Sequence, residues 1–328
     1  MIKIFALFLY GLLFILYHLN MRVSLEEAHR LLLSGHVVAL PTETVYGLAA
    51  SIERPGAVDQ IFSLKGRPSN NPLIIHGSSA EQIAPYLKGL PEDFSILART
   101  FWPGPLTLVL EVLTDLIPEK VRAGLPTAGF RIPEHSLTRA LTEWVGPLVM
   151  PSANRSGSPS STCVEHVEED FGPNLPVLDG GVCAHGLEST IMTFREGGWK
   201  IIRKGAIPAE AFLSVLGYLP EYYQSDKPIC PGQMYRHYAP KADLTLCSNE
   251  KECSGVVLGY TERHYLLAER VIEIGSILHP EEVAENLYRV LRQLDQENIK
   301  KASIDINIPS TGIWATIQER LMRAAQKG

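Results

Sequence analysis

At 328 residues the chain is long for a single core, so one larger and one smaller domain is the expectation. A net charge of −6 and an ordinary globular composition argue against a general nucleic-acid binder and leave room only for a local basic cleft. The five cysteines (Cys163, Cys183, Cys230, Cys247 and Cys253) include no Cys-x-x-Cys pair, which gives no metal signature and fits reduced thiols in a cytosol.

Ile4 to Tyr17 carries no charged side chain. The run is short of the ~20 apolar residues that span a membrane, and no small-x-small cleavage site follows it. It reads as a mis-called start with Met21 as the true one, as a membrane anchor, or as a signal peptide. The first is favoured, because nothing later looks secreted. Residues 1–20 are therefore set aside as an apolar extension.

Ser24 with Glu27 forms a capping box that opens a helix to Leu33. Val37 to Leu40 is a buried strand, and Pro41 to Gly47 is a polar turn offering the hydroxyls of Thr42 and Thr44. A helix over Val58 to Leu64 leads into Lys65-Gly-Arg-Pro68, and a buried strand runs from Leu73 to Ile75. Pro68 biases Arg67 towards extended backbone, where residues two apart point the same way. Lys65 and Arg67 are therefore expected to project together. Two fixed cations with no acidic neighbour suit a polyanion such as a nucleoside triphosphate.

Ser79 with Gln82 caps another helix, and Asp93 to Phe101 forms the next. Leu106 to Leu110 is a strand, and Phe130-Arg-Ile-Pro133 again holds an Arg near a Pro in extended backbone. A helix over Leu137 to Trp144 precedes a buried strand, Leu148 to Met150. That strand runs into a loop of small hydroxyl and amide side chains, Pro151 to Thr162, followed by a helix from Val164 to Asp170. A loop of that kind between strand and helix is a candidate anion or nucleotide cradle. Val177 to Leu178, Ser189 to Phe194 and Lys200 to Ile202 read as strands, with Gly197-Gly198 as the hairpin turn between the last two. Helices alternate with strands and hairpins are included, so the sheet should be mixed.

Ala209 to Leu216 reads as a closing helix. Tyr218 to Lys241 is polar, aromatic and Pro-rich, and reads as a linker. Its Tyr235-Arg-His-Tyr-Ala-Pro240 string suggests a segment that folds over a site. The remainder is a small α/β unit, with strands at Val256 to Leu258, Val271 to Ile274 and Ala302 to Ile306. Its helix from Pro280 carries a core stripe of Val283, Leu287, Val290, Leu291 and Leu294.

Taken together, these motifs resemble the threonylcarbamoyl-AMP synthase family in its two-domain form. The strings that carry the resemblance are Pro41-Thr-Glu-Thr-Val-Tyr-Gly-Leu48, Lys65-Gly-Arg-Pro68, Asn71-Pro-Leu73 to His76, and Trp102-Pro-Gly-Pro-Leu-Thr107. Arg131-Ile-Pro133, Pro151-Ser-Ala-Asn154 with Ser156-Gly157, Glu188-Ser-Thr190 and Tyr235-Arg-His-Tyr-Ala-Pro240 complete them, in that order. The likeness runs from Val23 to the C-terminus. Lys204 stands where a Pro is common, and Thr193 where an Asp is common.

The resemblance implies an α/β fold: a YrdC-like domain with a twisted mixed sheet over 21–217, a linker or lid over 218–242, and a small Rossmann-like C-terminal α/β domain over 243–328. It implies a cytoplasmic nucleotidyltransferase that makes L-threonylcarbamoyl-adenylate and pyrophosphate from L-threonine, bicarbonate and ATP. A downstream threonylcarbamoyl-transfer complex would then modify tRNA, which this chain would meet only indirectly. No stable membrane partner is expected. By the same resemblance Arg67, Asn71, Thr127, Asn154, Thr162, Arg203, Tyr235 and His237 are expected around ATP. Thr44, His76, Arg131, Ser152 and Ser189 are expected around threonine, with Lys65 and Arg67 as the catalytic cations. Mg²⁺ would ride on ATP rather than on protein side chains. Two rivals are an RNA-binding module built on a basic sheet and a carbamoyl transferase of the hydrogenase-maturation type. The second usually carries zinc-finger cysteine pairs, which this chain lacks.

Overall fold

A computed structural model describes residues 22–223, 230 and 237–326. The extension 1–20 and Tyr235 lie outside the described residues. The first half begins with α1 (Leu25–Leu33), which Ser24 caps by accepting the Glu27 N–H at 3.2 Å. There follow β1 (Val38–Leu40), β2 (Gly47–Ser51), α2 (Pro55–Lys65), β3 (Ile74–His76), α3 (Ala80–Ile83) and α4 (Phe94–Phe101). Then come β4 (Leu106–Glu111), β5 (Thr127–Arg131), α5 (Ser136–Val145), β6 (Leu148–Val149) and α6 (Val164–Phe171). The hairpin β7 (Thr190–Arg195) and β8 (Gly198–Arg203) and the short α7 (Leu213–Leu216) close it.

The eight strands form one sheet in the order β1-β2-β6-β3-β5-β4-β7-β8. The β3–β5 and β4–β7 pairs are parallel and the other pairs antiparallel, so the sheet is mixed as expected. One face packs on the main core with residues such as Ile75, Leu108 and Phe130. The opposite face carries a smaller apolar strip of Ile74, Val109, Ile191 and Ile202, covered by Cys230 and Tyr223. His76 shares that face with Ile74 by strand alternation.

The second half holds β9 (Asp243–Cys247), β10 (Ser254–Tyr260), β11 (Leu267–Gly275), α8 (Pro280–Gln296), β12 (Lys301–Asp305) and α9 (Trp314–Ala324). Its strands are all parallel, in the order β11-β10-β12-β9. The apolar stripe of α8 is buried core. In a parallel sheet the usual ligand crevice lies at the strands' C-terminal ends, where the order reverses. Here that is the junction of β10 and β12, and it is filled. Fully buried Asp305 accepts from Arg263 at 2.5 Å and from the Tyr265 hydroxyl at 2.9 Å. Gly259 gives the Tyr265 ring its room: a Cβ there would lie 2.4 Å from it.

Several local expectations need correction. Lys65 is the last residue of α2, and Gly66 ends that helix in the left-handed region (φ 62°). Lys65 and Arg67 therefore do not share an extended segment. Val177 makes only isolated bridges, to Arg22 and Ala39. The hairpin turn is Glu196-Gly197, one residue earlier than the Gly-Gly pair suggests, with both φ positive. Residues 209–216 begin as a 3₁₀ turn before α7. Strands β2 and β9 and helix α9 lie outside the elements expected from the sequence.

Candidate active site

The site grows from the C-terminal ends of two parallel neighbours. His76 ends β3, Arg131 ends β5, and the two are paired in register. The turn after β1 holds Arg131 in place. Thr42 Oγ1 accepts the N–H groups of Thr44 and Val45 at 3.1 and 3.2 Å, which folds the turn on itself. The intervening Glu43 accepts from Arg131 Nη2 at 2.6 Å and from the Glu134 N–H at 3.1 Å. Both members of the Glu43–Arg131 pair are buried. Arg131 Nε also donates to the Gly104 carbonyl at 3.3 Å.

The loop after β6 forms the facing wall. Lys65 reaches it from behind, donating from Nζ to the carbonyls of Ser152 at 2.5 Å and Asn154 at 2.6 Å. Burial pushes the Lys65 pKa well down, and the nearby Arg67 adds to the effect. Asn154 Nδ2 donates to the Arg155 and Ser158 carbonyls at 2.8 and 2.9 Å. Ser161 Oγ donates to the Ala153 carbonyl at 2.6 Å, which ties the far end of the loop back on its start. Arg67 donates to the carbonyls of Asn71 at 3.2 Å and Pro72 at 2.8 Å.

The third wall is the β7–β8 hairpin. Arg203, at the end of β8, donates to the Ser189 carbonyl at 2.7 Å and to Ser189 Oγ at 3.1 Å. Ser189 Oγ also meets Thr107 Oγ1 at 2.8 Å. These walls enclose an inner hollow of about 70 Å³. It adjoins an outer cleft of about 520 Å³, and Arg67, Ser158 and His237 line both.

Three guanidiniums, those of Arg67, Arg131 and Arg203, face the hollow. Burial lowers the Arg67 pKa to about 10, with Arg203 adding to the effect, so it stays charged at neutral pH. The imidazoles behave differently. Burial holds His76 well below the usual range, with Arg131 adding to the effect, and burial lowers His237 to about 4. Both rings are therefore neutral at pH 7. His76 Nδ1 lies 3.3 Å from the Ile74 carbonyl; with the hydrogen assigned there, Nε2 is a lone-pair acceptor. Among the described residues, three buried polar atoms here lack a hydrogen-bond partner: Asn71 Oδ1, Asn154 Oδ1 and His237 Nε2. Buried polar atoms are rarely left unpaired, so these point to a ligand.

Of the residues expected from the sequence, Thr44, Arg67, His76, Arg131 and Ser152 line the inner hollow. So do Asn154, Ser189, Arg203 and His237. Asn71 lines the outer cleft. Lys65 stands behind the wall with its amine on two carbonyls. Thr162 is buried against His166, whose Nδ1 accepts its N–H at 3.2 Å. Thr127 lines a separate hollow with Lys88 and Phe194. Sequence reasoning assigns no role to Glu43, Ser160 or Glu188, all of them buried at this site. Glu43 and Glu188 are the carboxylates inside two of the matched strings, and an acid amid so many bases was the available signal. Both are already held by arginines, Glu43 by Arg131 and Glu188 by Arg320 at 3.0 Å. Among the described residues no cluster of three or more His, Cys, Asp or Glu side chains could hold a metal.

Comparison with known proteins decides the family. The family described as "Telomere recombination" matches residues 30–205, and "Threonylcarbamoyl-AMP synthase, C-terminal domain" matches residues 206–326. The chain belongs to the threonylcarbamoyl-AMP synthase family. It is 37% identical to the Threonylcarbamoyl-AMP synthase of Bacillus subtilis, covering 92% of this chain and 93% of that one. It is 35% identical to the Pyrococcus abyssi protein of the same name, over 94% of this chain and 97% of that one. The crystal structure of P. abyssi Sua5 complexed with L-threonine superposes with a TM-score of 0.83 at 34% identity, covering 92% and 94% of the two chains. The two-sheet architecture is thus that of the family. Among the described residues no helix is long and apolar enough to cross a membrane.

Proposed function

We propose that this chain is an L-threonylcarbamoyladenylate synthase. The observation that carries the proposal is the mixed character of the hollow. Three guanidiniums line it, Arg131 already paired with Glu43, while the unpaired Asn154 and His237 atoms of the hollow and Asn71 Oδ1 of the adjoining cleft can hydrogen-bond the same ligands. An amino-acid carbamate beside a nucleoside triphosphate supplies anionic oxygens and hydrogen-bonding groups together. The relatives' name and the L-threonine held by the P. abyssi protein agree with this reading.

The threonine amine condenses with bicarbonate, releasing water and leaving a carbamate. A carbamate oxygen then attacks the α-phosphorus of ATP, and pyrophosphate leaves. No protein nucleophile is needed. The protein positions two anions and stabilises charge as it builds on phosphorus. In this reading Arg131, Thr44, His76, Ser152 and Ser189 take threonine. Arg67, Asn71, Asn154, Arg203 and His237 take ATP. Lys65 acts through the Ser152–Asn154 backbone that it holds. Mg²⁺ would be carried by the triphosphate, where it would offset phosphate charge, since Glu43 and Glu188 are engaged by arginines. The acceptor of the product is a threonylcarbamoyl-transfer complex acting on tRNA.

Pyrophosphate release that requires both threonine and bicarbonate tests the proposal. Release that ignores either substrate, or RNA affinity without release, refutes it.

A further inference from the structure

Arg320 lies on α9, in the second half of the chain, yet its long-range contacts fall on the active site's frame. It is fully buried. Nε donates to Glu188 at 3.0 Å, and Nη2 donates to the Lys204 carbonyl at 2.8 Å. Its guanidinium lies 4.9 Å from the centre of the Tyr238 ring. Glu188 and Tyr238 line the hollow themselves, and each of the three partners neighbours another group that lines it. Glu188 precedes Ser189, Lys204 follows Arg203, and Tyr238 follows His237.

The contact continues beyond these three. Glu188 also accepts from Ser160 Oγ at 2.7 Å and from the Tyr288 hydroxyl at 2.9 Å. Tyr288 stacks on Tyr238 with ring centres 5.4 Å apart. The backbone here has no slack. A Cβ on Gly205 would lie 2.2 Å from the Thr190 nitrogen, and one on Gly186 would lie 2.3 Å from the Ala284 carbonyl on α8. Apolar residues would join two domains at less desolvation cost than a buried ion pair. A planar fork, by contrast, fixes several oxygens at set angles.

We propose that Arg320 is a positioning residue of the active site, fixing from the second domain the backbone that carries Ser189, Arg203 and His237. The inference rests on the proposed reading of that site. It gives the second domain a role in catalysis: α9 sets three groups that take the substrates. Without Arg320, the Glu188 carboxylate is expected to turn towards Arg203, a cation whose charge it already feels, and to draw it off Ser189.

The test compares wild type, Arg320→Met, the double variant Glu188→Gln/Arg320→Met, and Gln296→Ala. Gln296 reaches across the same domain junction to Glu169, away from the hollow. Pyrophosphate release is measured against threonine and ATP, with circular dichroism to confirm folding. Arg320→Met is expected to raise KM for both substrates at least tenfold and to lower kcat. The double variant should recover at least fivefold over Arg320→Met, because the stray carboxylate is gone. Gln296→Ala should match wild type. Unchanged KM values in folded Arg320→Met, no recovery in the double variant, or an equal loss in Gln296→Ala overturns the inference. Should Arg320→Met not fold, Tyr288→Phe removes only the hydroxyl that reaches both Glu188 oxygens at 2.9 Å; a threefold rise in threonine KM supports the inference and no change overturns it. A wild type that releases no pyrophosphate sinks the functional reading itself, whereas an active wild type with an unaltered variant sinks this inference alone.

Discussion

Replacing Arg67 with Ala isolates one of the three cations of the hollow. A guanidinium carries five N–H groups. Two are engaged by the Asn71 and Pro72 carbonyls, which fix the plane of the fork. The others remain for a ligand, and the side chain borders both the hollow and the outer cleft. A pKa of about 10 keeps it charged under assay conditions. Losing one preorganised donor of this kind costs on the order of 2–4 kcal/mol of transition-state stabilisation. At 1.36 kcal/mol per decade that is a fall of about 30- to 900-fold in kcat/KM. Arg67→Lys should lie between, since an ammonium keeps the charge but not the fork. The assay is threonine- and bicarbonate-dependent pyrophosphate release, with a denaturant titration to account for the two carbonyls left without a donor. Folded Arg67→Ala enzyme with near wild-type turnover refutes the role given to this residue.

Lys65→Met strands two buried carbonyls and should lower stability by about 2 kcal/mol after the ammonium's own desolvation is recovered; an unchanged denaturant midpoint contradicts this. His166 supplies a pH test: burial lowers its pKa from 6.5 to about 4, with Arg292 adding to the effect, and protonation at Nδ1 breaks the Thr162 bond. The unfolded chain takes that proton first, so stability is full above pH 6.5 and falls as pH drops towards 4. His166→Gln should flatten that limb, and an identical slope in the variant argues against the account. Gly205→Ala forces a Cβ against the Thr190 nitrogen and should displace Ser189, at roughly 1–3 kcal/mol; a wild-type threonine KM would show that the close approach is dispensable. A chelator should abolish pyrophosphate release while leaving the melting temperature of the ligand-free chain in place, and a fall in that temperature would point to a metal held by the protein.

Much of this molecule can be read from its residues because strong periodicity and strong punctuation coincide. The α8 stripe and the Ser24 cap are local facts, and they survive tertiary contact. Lys65 shows where local reasoning stops. The Arg-Pro step predicts extended backbone reaching to Lys65, but Gly66 as a left-handed helix cap leaves Lys65 on α2. Strand β2 is Gly-Leu-Ala-Ala-Ser, buried at every position, so it shows no alternation and little β propensity. Helix α9 hides its inward face because Thr316 and Arg320 occupy it, pointing at partners more than a hundred residues away. The site divides the same way. Motif strings located most residues lining the hollow and contain Glu43 and Glu188, whose long-range pairing with Arg131 and Arg320 no spacing reveals.

The stoppered mouth of the second sheet has a consequence for counting. Its Asp305, Arg263 and Tyr265 satisfy one another where a dinucleotide would otherwise lie. Equilibrium titration should therefore show no second nucleotide held at that sheet, and a competitive inhibitor finds no address there.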